Sequence, residues 1–312
     1  MLMLIFTFTE GSTPIVLMDK DTFFEKKQII NCRGKCLDFS SPKIMGILNI
    51  TPDSFFDGGR YMEEKSILSR VEELNSGGAE IIDLGAYSSR PGADDISEKE
   101  ELRRLRLALE VIREKYPDLI LSVDTFRSKV AQIVVNEFNV NIINDISGGR
   151  LDDKMHDMVA NLQVPYIIMH MPGTPKNMQS KTKYNDLIND IIDFLGIQID
   201  LLKKKGLNDI IIDPGFGFGK TIEQNYQILA HLDTFKILDC PVLAGISRKS
   251  MIYRFLEISA EESLNGTIAL NMLALANGAD ILRVHDIKEA RQTVKLYLKT
   301  KAEGKNYLNL QK

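Results

Sequence analysis

The segment Asn141-Ile-Ile-Asn-Asp-Ile146 is a short apolar run that carries polar residues near its carboxyl end. Similar runs, rich in Ile, Leu and Val and bounded by Gly, Pro, Asn or Asp, recur along the chain. They are Ile44–Ile50, Glu80–Gly85, Leu119–Asp124, Pro165–His170, Asp209–Asp213, Pro241–Ile246 and Asp280–Val284. Such runs are typical of strands buried on both faces of a parallel sheet. We therefore predict an α/β fold with eight parallel strands.

Helical patterns lie between these runs. Ser97-Glu-Lys-Glu100 is a capping box, and it precedes apolar positions at helical spacing at Leu102, Leu105, Leu109 and Ile112. Ser259 and Glu262 repeat the signal before a helix predicted over Leu264–Ala276. Strand and helix therefore alternate from residue 44 to about residue 300, close to the roughly 250 residues of an eight-unit barrel.

The polar residues at the ends of the runs separate a TIM (β/α)8 barrel from an open doubly wound sheet. Nearly every run ends in a side chain able to bind or react: Asn49, Asp83, Asp124, Asn144 with Asp145, His170, Asp213, Ser247, and Arg283 with His285. In a barrel all these ends meet at one mouth, whereas an open sheet has one crevice at its switch point. The pattern favours the barrel as a single domain.

Composition excludes some classes of protein. The 312 residues include 39 basic and 43 acidic side chains, for a net charge of −4, and this balance argues against nucleic-acid binding. Cys32, Cys36 and Cys240 are too few for a disulfide framework, which indicates a reducing compartment. Cys32 and Cys36 could ligate a metal, but no second pair or nearby histidine completes a tetrahedral site.

The amino terminus has an apolar start without the basic region of a signal peptide, since the first lysine is Lys20. Its apolar run is also shorter than the about twenty residues of a membrane span. We therefore expect a cytoplasmic protein that does not associate with a membrane. Residues 1–40 show no clear periodicity, and we predict a partly irregular N-terminal extension there, followed by the barrel over residues 41–312.

Asp213-Pro-Gly-Phe-Gly-Phe-Gly-Lys-Thr221 ends like a phosphate-binding loop. The Walker spacing requires glycine at the position of Pro214, so an NTPase is excluded. Two interpretations stay open. The glycines could let a planar ligand approach the backbone, with Phe216 or Phe218 stacking on it, or the segment could be a plain strand-to-helix loop.

Asn49-Ile-Thr-Pro-Asp-Ser-Phe-Phe-Asp-Gly-Gly59 follows the first run and offers oxygen ligands at Asn49, Asp53 and Asp57. Such ligands suit Mg²⁺, particularly where phosphate and water complete the shell. A surface loop rich in Asx turns is the alternative.

Cations and hydroxyls also gather at the predicted mouth, in Ser88–Gly92, Ser247–Ser250 and Arg283–His285. A phosphate clamp is the usual use of such a group. Lys249 could instead be a Schiff-base nucleophile or a solvated residue at a helix start. His170 could line the mouth or pack between its flanking methionines.

Taken together, residues of about 44 to 300 resemble the dihydropteroate synthase family. The resemblance rests on seven segments that agree in order and spacing: Asn49–Phe55, Ser89–Gly92, Ser122–Thr125, Asn144–Asp145, Asp213–Gly219, Ser247–Ser250 and Arg283–His285. It implies an enzyme that joins 6-hydroxymethyl-7,8-dihydropterin diphosphate to 4-aminobenzoate, releasing diphosphate and 7,8-dihydropteroate. It also implies Mg²⁺ and a homodimer joined through outer helices.

The resemblance further implies a role for each matching residue. Asp124, Asn144 and Asp213 would pair with the pterin edge, and Lys249 would donate to its ring carbonyl or a ring nitrogen. Arg283 and His285 would hold the diphosphate. The remaining expected roles are magnesium binding by Asn49, ordering of its loop by Asp57, contact with both substrates by Ser89, and 4-aminobenzoate binding by Phe55, Arg90, Pro91, Phe218 and Ser250.

One segment departs from the family pattern. Many members carry Glu-Ser-Thr-Arg-Pro-Gly where this chain has Tyr87-Ser-Ser-Arg-Pro-Gly92, so affinity for sulfonamide mimics of 4-aminobenzoate is in question. A pterin-binding methyltransferase module would not need the Asn49–Phe55 or Ser247–Ser250 segments. A non-catalytic pterin-binding barrel would lack Asn49, Arg283 and His285, so their presence favours catalysis.

Overall fold

The computed structural model describes residues 29–50, 60–87 and 95–309. The strands are β1 (Ile29–Cys32), β2 (Lys35–Asp38), β3 (Lys43–Asn49), β4 (Ile81–Gly85), β5 (Ile120–Asp124), β6 (Ile142–Asp145), β7 (Tyr166–Met169), β8 (Ile210–Asp213), β9 (Leu243–Ala244) and β10 (Ile281–Val284). The helices are α1 (Arg60–Ser76), α2 (Glu98–Lys115), α3 (Ser128–Phe138), α4 (Met155–Leu162), α5 (Leu187–Lys204), α6 (Ile222–Ala230), α7 (Ser250–Tyr253), α8 (Leu264–Ala276) and α9 (Ile287–Asn309).

The main sheet is an eight-stranded parallel barrel with the order β8-β7-β6-β5-β4-β3-β10-β9. Its two ends meet through one parallel bridge between Ile212 and Val242, where the Ile212 amide donates to the carbonyl of Pro241 at 2.9 Å. Each of the eight apolar runs overlaps one of these strands, and the predicted TIM barrel is confirmed. Convergence of the strand ends at one mouth therefore follows from the closed sheet.

Alternation along the strands divides the apolar side chains between two cores. One set packs outward against the helices and includes Ile82, Val123, Ile143 and Ile212. The other set points into the barrel and forms what we name the floor layer: Met45, Ile81, Ile142, Ile167, Ile211, Leu243 and Ile281. Because successive side chains of a strand point to opposite faces, the next inward position on each strand lies two residues beyond the floor layer.

A hairpin covers the floor layer from the amino-terminal side of the barrel. β1 and β2 pair antiparallel, and Ile30, Cys32 and Leu37 are buried in the same cluster as the floor residues. The hairpin belongs to the segment predicted as an irregular extension, and its four-residue strands are too short to give a clear period. The proposed domain boundary at residue 40 stays a prediction.

Two helix starts follow the predicted capping. The Ser97 side chain accepts a hydrogen bond from the Glu100 amide and caps α2, whereas the Glu100 carboxylate accepts from Arg103 and Arg104 and not in the reciprocal bond of a capping box. Ser259 and Glu262 make both bonds of a capping box, at 2.9 and 3.3 Å, although a 3-10 turn over Glu261–Ser263 precedes α8. Among the described helices, none has the length and apolar character needed to cross a membrane.

Candidate active site at the carboxyl ends of the strands

The inward positions above the floor layer are mainly polar. Asp83, Asn144, Asp213 and Arg283 each lie two residues beyond a floor residue of the same strand, and Asp124 lies at the end of β5. The apolar floor thus supports a charged layer that faces the mouth. The strand geometry explains this, since a period of two places both kinds of residue on one face.

Arg283 is the centre of the charged layer. Its Nε donates to Oδ2 of Asp83 at 2.7 Å, and its Nη2 donates to Oδ2 of Asp124 at 3.3 Å. Asn144 donates from Nδ2 to the same oxygen of Asp83 at 3.0 Å. Although burial alone would lower the pKa of Arg283, Asp83 and Asp124 raise it, so the guanidinium stays charged.

The two carboxylates that flank this network carry shifted pKa values. Burial raises the pKa of Asp124 to about 7, with Arg283 opposing the shift and Asp83 adding to it. Burial also raises the pKa of Asp213, while Lys249 opposes that shift. The Asp213 carboxylate accepts the Gly215 amide at 2.7 Å, which fixes its direction at the end of β8. Perturbed carboxyls in a polar cleft are typical of ligand sites.

Lys249 reaches the charged layer from the segment after β9. Its ammonium donates to the carbonyl of Phe216 and lies 4.8 Å from the centre of the Phe218 ring. Burial lowers its pKa to about 8, and Asp213 holds the pKa up. At neutral pH the group is therefore mainly protonated and serves as a donor. Ser250 begins α7 immediately after it and is half-buried.

A second buried lysine supports the glycine loop after β8. Lys220 donates to the carbonyls of His170, Gly215 and Phe218 at 3.2, 2.9 and 3.0 Å, and its Nζ lies 3.1 Å from Nδ1 of His170. Gly215 has a φ of 79°, and a Cβ there would lie 2.0 Å from the His170 carbonyl oxygen. Glycine is therefore required at this position. Sequence reasoning gave Lys220 no role, although the glycines at 215, 217 and 219 marked a loop with an unusual backbone.

His170 is packed, as one of its two interpretations states. It is 6% exposed, and its ring lies 5.1 Å from that of Phe194. Burial and then Lys220 lower the pKa of His170 to about 2, so its ring is neutral beside Lys220. His170 therefore supports the glycine loop after β8.

His285 follows β10 and is oriented by Ser247. The Ser247 hydroxyl accepts from the His285 amide at 3.3 Å and lies 3.1 Å from Nδ1. The Ser247 hydroxyl can donate its proton to Nδ1, and in that tautomer the ring proton of His285 lies on Nε2. Burial and then Arg283 lower the pKa of His285 to about 4. His285 is thus a neutral donor in the free protein and not one of the cations expected from the sequence.

Asn49 ends β3, beside the charged layer. A Cβ at Gly85 on the next strand would lie 3.6 Å from Asn49 Oδ1 and 3.9 Å from Asp124 Cβ, so the amide oxygen faces the mouth. Among the described residues, no group of three or more His, Cys, Asp or Glu side chains could hold a metal ion. The donor at Asn49 fits a magnesium ion that takes its other ligands from phosphate and water.

Two residues that the sequence placed near the mouth make their hydrogen bonds with other parts of the protein. Asp145 points to the helix side of β6, where its carboxylate accepts from the Tyr166 hydroxyl at 2.6 Å and from Ser147 at 2.7 Å. Arg248 makes a bidentate pair with Asp286, at 2.9 and 2.8 Å. Asp145 thus holds the turn after β6, and the Arg248–Asp286 pair joins the segments that carry Lys249 and His285.

Several of the predicted site residues lie outside the described residues: Phe55, Asp57, Ser89, Arg90 and Pro91. Their roles, and that of Asp53 in the magnesium loop, stay predictions. Tyr87, which departs from the family pattern, is described. Its ring packs edge-on against Phe126 at 5.1 Å, and the Arg127 guanidinium lies 5.5 Å from its centre.

A model of the pterin-binding enzyme family matches residues 45–285, which includes the charged layer and every strand of the barrel except the first two residues of β3. The dihydropteroate synthase of Haemophilus influenzae is 40% identical over 269 residues, covering 86% of this chain and 97% of that protein.

Solved structures agree in fold. A Yersinia pestis dihydropteroate synthase in complex with a sulfonamide drug superposes with a TM-score of 0.82 at 38% identity, covering 88% of this chain and 99% of that one. A Xanthomonas albilineans dihydropteroate synthase with 4-aminobenzoic acid gives 0.81 at 36% identity, covering 88% and 98%. Barrel, charged layer and sequence likeness lead to one conclusion: this chain belongs to the dihydropteroate synthases, transferases of the pterin-binding enzyme family.

Proposed function

We propose that the charged layer binds 6-hydroxymethyl-7,8-dihydropterin diphosphate and that the mouth above it admits 4-aminobenzoate, so that 7,8-dihydropteroate and diphosphate form there. The observation that carries this proposal is the joining of Asp83, Asp124, Asn144 and Arg283 in one hydrogen-bonded network at the carboxyl ends of four strands. The function itself is that of the family: transfer of a dihydropterin-methyl group to the amine of 4-aminobenzoate in folate biosynthesis.

Asp124, Asn144 and Asp213 would read the pterin. The 2-amino-pyrimidinone edge of a pterin is rich in donors, and these three side chains offer acceptor oxygens. Asn144 is 5% exposed and Asp213 is 6% exposed, so the bound edge would be shielded from water. Lys249 would complete the recognition by donating to the ring carbonyl or a ring nitrogen.

Arg283 and His285 would bind the diphosphate. Two of the guanidinium nitrogens of Arg283 hold Asp83 and Asp124, and the remaining donors can reach a phosphate oxygen. The Nε2 proton of His285 would add a neutral hydrogen bond. Stabilisation of the departing diphosphate is the main demand when the C–O bond breaks before the amine attacks.

Magnesium would be held by Asn49, with Asp57 ordering the loop that follows. When bound, the ion would neutralise charge on the diphosphate and so make it a better leaving group. Asn49 and Arg283 approach the mouth from adjacent strands, since β3 pairs with β10. A metal and a guanidinium could therefore share one diphosphate.

4-Aminobenzoate would lie above the pterin, next to the glycine loop. Phe218 packs on the cluster of Ile146, Met169, Met171 and Met178 at the mouth, and its ring would form one wall. Ser250 at the start of α7 would meet the carboxylate. Phe55, Ser89, Arg90 and Pro91 would complete this pocket, and Ser89 would also contact the pterin substrate.

Lys249 is proposed as a binding residue and not as a Schiff base. Its ammonium already donates to a backbone carbonyl and faces the Phe218 ring, which fixes its direction for hydrogen bonding. The chemistry needs no covalent enzyme intermediate, because the pterin stabilises the cation left by diphosphate departure. Covalent labelling of Lys249 by borohydride in the presence of substrate would contradict this role.

The decisive test is an assay of diphosphate release from the pterin substrate, with and without 4-aminobenzoate and Mg²⁺. We expect release that depends on all three components. A folded sample without turnover would refute the proposed activity. For the site, Asp124→Ala should weaken pterin binding about a hundredfold by calorimetry while the circular dichroism spectrum stays unchanged. Unchanged pterin affinity would refute the role of Asp124.

We also propose that the protein is a homodimer. Phe255, Leu256 and Leu273 are 62, 49 and 49% exposed, and they lie on the outer segments that follow β9. A second copy would cover such apolar surface. Sedimentation velocity should give a dimer for the wild type and a monomer for Leu273→Glu, whereas a monomeric wild type would refute the assignment.

A cytoplasmic location is proposed on the chemistry of the cysteines. Cys32, Cys36 and Cys240 form no disulfide bond with one another in the described part of the chain, which suits a reducing compartment. Cell fractionation with an antibody against the chain tests this location, and recovery in an oxidising compartment would contradict it.

A further inference from the structure

Asp83 belongs to the charged layer, but no substrate contact of its own has been assigned to it. It is fully buried on β4, between β3 and β5 of the barrel. A carboxylate without any exposure is costly to bury unless it is paired and hydrogen-bonded. The contacts of the Asp83 carboxylate should therefore indicate its role.

Within the described residues, the Asp83 side chain accepts two hydrogen bonds at one oxygen, and both donors are proposed substrate-binding residues. Oδ2 accepts from Arg283 Nε at 2.7 Å and from Asn144 Nδ2 at 3.0 Å. Oδ1 is buried without a partner among the described residues. The carboxylate thus interacts with residues of the mouth and not with its own strand neighbours, although Ser122 is its register partner on β5.

The bond to Asn144 decides which end of the amide faces the ligand. An Asn side chain can present either a carbonyl oxygen or an NH₂ group, and the two orientations fill nearly the same space. An aspartate can accept but not donate when it is paired with an arginine, so it holds the NH₂ end. The Oδ1 end of Asn144 is therefore left to face the mouth as an acceptor.

We propose that Asp83 is a positioning residue that sets the pterin specificity of the site, because it fixes the Asn144 amide with its oxygen toward the ligand and joins that amide to Arg283. This inference rests on the proposed pterin site. The acceptor at Asn144 would recognise the 2-amino group, and it would disfavour a pteridine that carries a carbonyl at that position.

The test compares two probes, 6-hydroxymethylpterin and 6-hydroxymethyllumazine, which differ in the 2-amino and 2-oxo groups. Calorimetry on the full chain should show a clear preference of the wild type for the pterin. Asp83→Asn nearly keeps volume, but its amide can donate to Asn144 and so allow the Asn144 amide to turn over. We expect the preference for pterin to fall about tenfold or more, as for one mismatched buried hydrogen bond.

A double variant that exchanges the residues at positions 83 and 144 tests whether the pterin preference can be restored. In Asp83→Asn with Asn144→Asp the net charge is unchanged, and residue 83 again faces a partner that can present an acceptor to the ligand. We expect this protein to recover most of the lost pterin preference. Ser122→Ala is the matched control, since it removes a buried polar atom from the same layer without touching Asn144, and it should keep the wild-type preference.

The outcomes separate the two proposals. If the wild type binds neither probe, or if Asn144→Ala binds the pterin as tightly as the wild type, the proposed pterin site is wrong. If Asn144→Ala weakens binding but Asp83→Asn keeps the full preference for pterin, the positioning role of Asp83 is wrong. If Asp83→Asn fails to fold by circular dichroism, the swapped variant decides. A folded swapped variant without pterin preference, or failure of both proteins to fold, would overturn the inference.

Discussion

The ammonium group of Lys249 lies 4.8 Å from the centre of the Phe218 ring, so the glycine loop after β8 and the segment after β9 are joined across the mouth. A cation over an aromatic face contributes roughly 0.5 to 2 kcal/mol, depending on its exposure to water. In the proposed complex the contact would orient both side chains, with the ammonium toward the pterin and the ring toward 4-aminobenzoate.

Phe218→Leu should separate the two substrates kinetically. Loss of the ring removes one wall of the aminobenzoate pocket, so we expect the KM for 4-aminobenzoate to rise about tenfold. The KM for the pterin substrate should change less than about threefold. Steady-state assays with each substrate varied in turn measure both values. Phe218→Tyr keeps the ring and should behave like the wild type; equal changes in both KM values for Phe218→Leu would contradict the assignment.

His285 should titrate well below its ordinary range in the free protein. Burial and Arg283 lower its pKa to about 4, so the ring should stay neutral down to about pH 5. Bound diphosphate brings negative charge beside the ring, favours the imidazolium and should raise the pKa. NMR titration of the ring protons, assigned with His285→Gln, checks both statements. A free-protein pKa near 6.5, or no upward shift with diphosphate, would contradict them.

Asp124 should make stability depend on pH. Its folded-state pKa is raised from 3.8 to about 7, so the stability it contributes is present below about pH 4 and is lost as pH rises to about 7. Asp124→Asn cannot titrate. Its free energy of unfolding, minus that of the wild type, should therefore grow by about 2 to 4 kcal/mol between pH 4 and 7 and then level off. Urea unfolding of both proteins at several pH values measures the difference, and a constant difference would refute the shift.

The hairpin below the barrel should contribute to stability without affecting catalysis. Leu37 is 3% exposed within the floor cluster, and Leu37→Ala should cost about 2 to 4 kcal/mol. Ile29 lies in the same hairpin but is 55% exposed, so Ile29→Ala should cost less than about 1 kcal/mol. Urea unfolding compares the two variants, and kcat should match the wild type in both. Equal stability losses would show that the hairpin does not pack as described.

The barrel was predictable because eight apolar runs each ended in polar residues, and period-two alternation turns that pattern into a floor layer and a charged layer. For Asn144 and Asp145 the sequence does not predict which side chain points into the barrel. The sequence placed both at the mouth, but adjacent residues of a strand face opposite sides, and only the register shows which one points inward.

Other features depend on distant contacts that no local pattern records. The hairpin is specified by burial against floor residues more than a hundred positions away, such as Ile142 and Ile281. In the sequence, Lys220 lies at the end of a segment that resembles a phosphate-binding loop but lacks its spacing. Its structural role depends on contacts with three carbonyls and with His170, which the sequence does not show. Asp83 was seen as a polar strand end, but its two partners lie on β6 and β10.

The closure of the barrel between β8 and β9 rests on one bridge, whereas β7 and β8 are joined by four register pairs. Asp213 is the last residue of β8, on one side of this closure, and Lys249 follows β9 on the other side. A ligand held by both residues would span the weakest join in the hydrogen-bonded cylinder, so part of its binding free energy would become closure free energy. Bound substrate would then stabilise the closed sheet. It would slow deuterium uptake at the Ile212 amide more than at the amides of β4 and β5.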